Sequence, residues 1–166
     1  MKNLQRIFSI LYLLLLMGCG SNEESKNESI KLKNHQTAET NRSTTETSVA
    51  STKIDLENKG IGPVKSVDLE DEIDHSMVER GAKVFRQKCT SCHRTDKKFI
   101  GPASTAILKR RTPEWIMNML LNPEEMLRKD PIAKALLKEY YGNPMIDQNL
   151  THEEARAILE YYRTLE

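Results

Sequence analysis

Apolar residues recur at helical spacing through the C-terminal part of the chain, from about residue 67 to the end. The clearest case follows Thr151 and Glu154, whose spacing is that of a capping box. After them, apolar side chains return every three or four positions, at Ala155, Ile158, Leu159 and Tyr162. No stretch alternates in the manner of a strand, so the pattern predicts an all-α domain over residues 67–166.

Three further helices are predicted from the residues at their ends. Their expected extents are about 74–92, 112–122 and 130–142. Asp74 or Ser76 can cap the first of them. Pro113 and Pro131 occupy the first helical position of the other two, and Gly142 is suited to end the last. With the C-terminal helix, these elements predict a small domain of about four to five helices around one core.

The N-terminus has the organisation of a secretory signal. A short basic region at residues 2–6 precedes an apolar run over residues 7–17, which is too short for an ordinary membrane span. The run ends at Gly18-Cys19, where it resembles a bacterial lipobox. That resemblance implies cleavage before Cys19 and attachment of a lipid to its sulfur. We therefore expect residues 1–18 to be a lipoprotein signal peptide; a plain signal peptide that happens to contain a cysteine is the alternative.

Residues 20–66 differ in composition from the helical part. They are dominated by Ser, Thr, Asn, Glu and Lys, and no aromatic residue occurs between Tyr12 and Phe85. Such a segment buries too little apolar surface to offset the entropy of ordering. The composition predicts that residues 19–66 are the lipidated cysteine followed by a flexible tether.

The net charge of +1 conceals an uneven distribution of charge. Residues 68–79 contain six acidic residues and no Lys or Arg, whereas residues 80–111 contain ten basic residues and the single acid Asp96. A basic surface of this kind attracts acidic partner faces and makes association depend on salt. We expect protein partners with acidic docking faces, and no nucleic-acid partner for an exported domain.

The strongest chemical signal in the chain is the CxxCH motif Cys89-Thr90-Ser91-Cys92-His93. Cysteines three positions apart lie on one side of a helical turn, so both sulfurs can form thioethers with one edge of a haem. The imidazole of His93 can then be an axial ligand of the iron. A redox dithiol and half of a zinc site are the alternatives. The first lacks a strand before the motif, and the second lacks a further paired set of ligands.

The C-terminal domain resembles the class I cytochromes c. The residues that carry the resemblance are Gly81 and Phe85 before the motif, Gly101-Pro102 after it, Met145 in a loop, and residues 158–163 at the C-terminus. The resemblance implies one covalently bound haem c, held through Cys89 and Cys92. It also implies that the first and last helices cross near the haem, with Gly81, Phe85 and Tyr161 at the crossing.

The same resemblance implies which residues surround the iron. Met145 is the expected sixth ligand, with His93 as the other axial ligand; His152 is the rival of Met145. In the family a proline commonly follows the ligand methionine, whereas here a proline precedes it. The carbonyl of Pro102 is expected to accept the second ring N–H of His93.

Haem propionates are anionic and need hydrogen-bond donors. The Arg110-Arg111 pair and Trp115 are the candidates on this chain. Trp115 is equally suited to be a core anchor of its helix.

These features together predict an electron-transfer protein rather than an enzyme. A haem iron with both axial positions filled offers no place for a small-molecule substrate. We expect the haem domain to lie in the periplasm, anchored to an envelope membrane, and to carry single electrons between respiratory proteins. Two alternatives stay open. One is a haem enzyme or gas sensor with an open or labile sixth position, and the other is a fixed cytochrome subunit of a respiratory reductase or oxidase.

Overall fold

The computed structural model describes residues 49–165. The predicted signal peptide, Cys19 and the tether as far as residue 48 lie outside these residues. The helices are α1 His75–Lys88, a 3₁₀ turn Ile107–Lys109, α2 Pro113–Leu121, α3 Pro123–Lys129, α4 Pro131–Glu139 and α5 His152–Arg163. The all-α prediction is confirmed, since the described residues contain only one isolated β-bridge, between Asp55 and Arg111. No helix within this part of the chain is long and apolar enough to cross a membrane.

Hydrogen bonds between residues close in sequence mark both ends of α1. The carboxylate of Asp74 caps it by accepting a first-turn N–H at 2.9 Å. The helix ends at Lys88 rather than at the predicted Cys92. The N–H of the cap residue Cys89 donates to the Phe85 carbonyl at 2.9 Å, and the N–H groups of Cys92 and His93 then both donate to the Cys89 carbonyl, at 3.0 and 2.8 Å. The CxxCH motif therefore forms its own tight turn after α1.

α2, α3 and α4 each start with a proline. Thr112 caps α2 and Asp130 caps α4 through side-chain oxygens. Asn122 ends α2 as predicted, but Pro123 then begins α3, which was not among the predicted helices. Proline is accepted in the first helical turn, so Asn122-Pro123 both stops one helix and starts the next. The predicted capping box of α5 is present.

α1 and α5 cross in close contact. Gly81 lies against the α5 backbone, where an added Cβ would overlap the Ala157 carbonyl oxygen and lie 2.9 Å from the Ile158 nitrogen. Beside this crossing, the ring centres of Phe85 and Tyr161 are 5.6 Å apart. The missing side chain at Gly81 lets the two helices approach, and the aromatic rings fill the space next to the contact.

A buried ionic cluster fastens α5 to the start of α1. Glu160 is 1% exposed, and its carboxylate accepts from Arg156 at 2.6 Å and Arg163 at 2.7 Å. It also accepts the Asp74 N–H at 3.1 Å. Burial raises the pKa of Glu160, but these hydrogen bonds and the two arginine charges outweigh burial and leave the pKa below its ordinary value. The carboxylate therefore stabilises the fold at neutral pH, and this contribution is lost as the pH falls through the lowered pKa.

Residues 50–64, which we call the strap, pack against the helices. Val64 is buried, and its N–H donates to Oδ1 of Asn118 at 2.9 Å. At the other end, Ser51 donates to the Glu139 carboxylate from its N–H at 2.9 Å and from its hydroxyl at 2.5 Å. These contacts correct the prediction that the tether extends to residue 66. Polar contacts with distant residues hold the strap together with a few apolar side chains such as Val64, so its composition does not reveal its packing.

Candidate haem site

A cavity opens beside the turn of the CxxCH motif. Cys89, Cys92 and His93 line it together with Gly101 and Pro102. Apolar side chains from α2, from α4 and from the residues between α4 and α5 form much of the remaining wall: Ile116, Met119, Leu120, Leu136, Pro144 and Met145. The cavity is therefore apolar next to the motif that carries its chemistry.

His93 is held in one orientation by the chain that follows it. Its Nδ1 lies 3.0 Å from the carbonyl oxygen of Pro102, which accepts the proton on that nitrogen. The other ring nitrogen, Nε2, is then the one left to bind a metal. Gly101 packs directly on the ring, since a Cβ at this position would lie 2.8 Å from Nδ1. A larger residue at position 101 would displace the imidazole.

The two cysteines of the motif differ in exposure. Cys89 is buried and Cys92 is exposed. Burial raises the pKa of the Cys89 thiol to about 11, and the nearby Lys88 charge offsets only part of this shift. Thioredoxin-like dithiols carry a thiol of lowered pKa, whereas the pKa of the Cys89 thiol shifts in the opposite direction. Within residues 49–165 no three His, Cys, Asp or Glu side chains are grouped to hold a metal ion, as a zinc site would require.

Met145 lines the same cavity from the segment between α4 and α5. It is partly buried and packs against the hydrophobic core. Tyr141 and Asn149, on either side of it, have positive φ angles of 59° and 49°. His152, the rival ligand, is exposed at the first position of α5 and does not line the cavity. Of the two, only Met145 lines the cavity, and its role as the iron ligand stays a prediction.

The indole of Trp115 belongs to the core. Trp115 is 3% exposed, and its Nε1 donates to Oδ1 of Asp130 at 3.1 Å. Because this N–H is already used, the structure corrects the propionate prediction for Trp115 and supports the core-anchor alternative. Asp130 also caps α4 and accepts from Asn58 of the strap at 2.7 Å. Its carboxylate thus joins α2, α4 and the strap.

Arg110 and Arg111 line the cavity but donate to backbone carbonyls. Arg111 is buried, and its guanidinium donates to the carbonyl of Ala50 at 2.6 Å and to that of a second strap residue. Arg110 donates to the carbonyls of Thr105 and Ala106, both at 3.1 Å. The two arginines therefore fasten the strap and the turn before α2. The propionate role of Arg111 stays a prediction.

Ser51 and Tyr140 also line the cavity, although sequence analysis does not single them out. Ser51 lies in the polar N-terminal region, where nothing distinguishes it from its neighbours. Tyr140 is buried at the end of α4, and burial raises the pKa of its hydroxyl. An aromatic residue next to a helix end is the one signal that could have pointed to Tyr140.

These residues fit a covalently bound haem. The motif turn offers two sulfurs and an oriented imidazole, and the wall beside it is apolar enough to hold the porphyrin. The thioether of Met145 reaches the same cavity, and Ser51, Arg110 and Tyr140 also line it.

Comparison with known proteins agrees with this site. The family model for cytochrome c matches residues 78–166. A solved cytochrome c from Rhodothermus marinus is 44% identical, with a TM-score of 0.61, and the match covers 70% of this chain and 93% of that chain. Its engineered form, Rma TDE, is 44% identical, with a TM-score of 0.61, over 70% of this chain and 94% of that chain. Rma TDE bound to a carbene intermediate is 43% identical, with a TM-score of 0.59, over the same 70% and 94%. No curated protein matches this chain.

The matched family residues contain the α1–α5 crossing, the motif turn and the Met145 segment. In this family the cofactor is haem c, attached covalently to a CxxCH motif. The chain therefore belongs to the cytochrome c family, as a haem-based electron-transfer protein of class I.

Proposed function

We propose that this cytochrome carries single electrons between respiratory proteins, with its iron held by His93 and Met145. The observation that carries the proposal is that both side chains line one cavity, although they are far apart in sequence. The bound haem supplies a one-electron redox centre. Two protein ligands leave the iron no open position for a substrate, which supports a carrier rather than an enzyme.

The chain's own residues set the properties of that centre. The Pro102 carbonyl keeps the proton on Nδ1 of His93 and so leaves Nε2 for the iron. A methionine ligand raises the reduction potential relative to a second imidazole. Apolar side chains such as Ile116 and Leu120 keep water away from the cavity and lower its dielectric constant.

Met145→Ala tests the proposed ligation. The ferric wild-type protein is expected to be low-spin with the weak long-wavelength sulfur-to-iron band, and the variant to lose this band and become high-spin. If the Met145-bound state dominates by on the order of a hundred to one, its removal raises the apparent affinity for cyanide by about the same factor. The reduction potential is expected to fall. Absorption spectra, cyanide titration and potentiometry measure these changes.

Met119→Ala is the matched control for this experiment. Met119 also lines the cavity, but it lies within α2 at a helical core position. The control is expected to keep the sulfur-to-iron band. Loss of the band in Met119→Ala, or its survival in Met145→Ala, would refute the proposed ligand.

We further propose that the redox partners have acidic docking faces. Lys98 lies beside the cavity, with its Nζ 4.6 Å from the ring centre of Tyr140. Exposed apolar side chains accompany it, with Tyr141 87% and Ile146 63% exposed. Such a mixture of basic and apolar groups suits a transient complex.

Lys98→Glu is expected to slow electron exchange with membranes of the source cell at low salt. Lys65→Glu makes the same charge change away from the cavity lining and is expected to leave the rate of electron exchange unchanged. Equal slowing by both variants would contradict the proposal.

The anchor and the periplasmic location are proposed from the sequence, since Cys19 lies outside the described residues. The basic region, the short apolar run and the lipobox-like Gly18-Cys19 support them. Growth of cells on a labelled fatty acid is expected to label the wild-type protein but not the Cys19→Ser variant. An unlabelled wild-type protein would contradict the lipid anchor.

A further inference from the structure

Residues 144–150, which we call the Met145 segment, make most of their hydrogen bonds within the segment. Gln148 donates to the carbonyl of Ile146 at 3.1 Å, and the N–H of Asn149 donates to Asp147 at 2.8 Å. Among residues 49–165, only one hydrogen bond reaches the segment from another element. It is donated by Nζ of Lys88 to the Gln148 carbonyl, at 3.3 Å.

Lys88 occupies a junction between three parts of the site. It is the last residue of α1, directly before Cys89, and it lines the cavity. Its Nζ also lies 3.4 Å from Oε2 of Glu154, and both side chains are about one-third exposed. The same oxygen accepts the N–H of Thr151 in the capping box of α5. One ammonium group thus joins the end of α1, the Met145 segment and the start of α5.

The remaining support for the segment is apolar and limited. Met145 and Leu150 pack against the core, whereas Ile146 is 63% exposed. Asn149, near the end of the segment, has a φ angle of 49°, a left-handed conformation that asparagine adopts more readily than most residues. A segment with few fixed contacts opens locally at low cost in free energy. The Lys88 hydrogen bond is therefore the one polar contact, among the described residues, that ties this segment to another element.

We propose that Lys88 is a positioning residue that holds the Met145 segment against the haem cavity and limits how often the methionine leaves the iron. This inference rests on the proposed ligation by Met145. Lys88 does not touch the iron in this role. Its ammonium group fixes the backbone three residues after the ligand, so that the thioether returns to the same place after each local opening.

The test measures ligand exchange in the holoprotein. Cyanide at saturating concentration binds ferric iron at a rate limited by departure of the methionine. Lys88→Ala is expected to bind cyanide roughly five- to tenfold faster than the wild type while keeping the sulfur-to-iron band. Lys88→Arg can donate to the same acceptors, so it is expected to restore a rate close to that of the wild type. Lys83→Ala removes an exposed lysine from the same helix and is expected to leave the rate unchanged.

Glu154→Gln tests the role of Lys88 by changing its ion-pair partner. It weakens the ion pair without altering α1, while the amide oxygen can still accept the Thr151 N–H. A smaller acceleration in the same direction is expected. Rates within twofold of the wild type in both Lys88→Ala and Glu154→Gln, with the band intact, would overturn the role of Lys88 and leave the Met145 ligation standing. A wild-type protein without the band would instead refute the ligation itself, and the inference with it.

Discussion

Replacing Gly81 with alanine is expected to destabilise the folded protein by about 2–3 kcal/mol, as overpacking of a close contact does. Alanine is the better helix former by about 1 kcal/mol, so helix propensity alone predicts the opposite sign. The steric effect wins because the added Cβ would lie 2.5 Å from the carbonyl carbon of Ala157, in backbone that cannot turn aside. Guanidinium unfolding of the holoprotein, followed by circular dichroism, measures the difference in free energy.

Gly142→Ala separates this packing effect from backbone strain. Gly142 has a φ angle of 77°, but an added Cβ there would meet nothing within 4 Å. The strain of a left-handed conformation predicts a loss of about 1–2 kcal/mol. A Gly81→Ala protein as stable as the wild type would mean that α1 and α5 do not approach as closely as described.

Asp130→Ala is expected to cost about 4 kcal/mol of folding free energy, the sum of a lost helix cap and buried donors left without partners. Asp130 is 1% exposed and accepts four hydrogen bonds. Two come from the first turn of α4, and the others from Trp115 and Asn58. Removing the carboxylate therefore disturbs α2, α4 and the strap together. Thermal unfolding of the holoprotein is the measurement.

Two further variants are expected to lose less folding free energy than Asp130→Ala. Asp130→Asn keeps an oxygen that can cap α4 but loses the acceptor for Asn58, so it is expected to cost less than Asp130→Ala. Asn58→Ala removes only the strap contact of 2.7 Å and is expected to cost about 1 kcal/mol. If Asn58→Ala were as damaging as Asp130→Ala, the strap rather than the helix cap would be the main role of this carboxylate.

The helices could be predicted because their signals are local. Asp74, Thr112 and Asp130 cap helices within a few residues of their own position, and the α5 capping box spans a single turn. α3 was not predicted because Asn122-Pro123 indicates the end of a helix, and a proline that ends one helix can also begin the next. The CxxCH motif is equally local, since the chemistry of haem attachment fixes its spacing.

The strap and the role of Trp115 could not be predicted in the same way. The contact between Ser51 and Glu139 spans 88 positions, and that between Ala50 and Arg111 spans 61. Polar residues that are satisfied by distant partners have the same composition as residues that are satisfied by water. For Trp115, the sequence offers two uses for an indole N–H, and only the position of Asp130 decides between them.

The strap also has a consequence for the order in which the protein matures. It leaves the ribosome before every helix that holds it, since Arg111, Asp130 and Glu139 are synthesised 61, 72 and 88 positions after their strap partners. Contacts between such distant residues close long loops, which costs chain entropy and slows folding. The wall that Ser51 adds to the cavity therefore cannot form until Glu139 has been synthesised, well after the CxxCH motif. The side of the haem site that Ser51 closes is thus incomplete for as long as the nascent chain ends before α4.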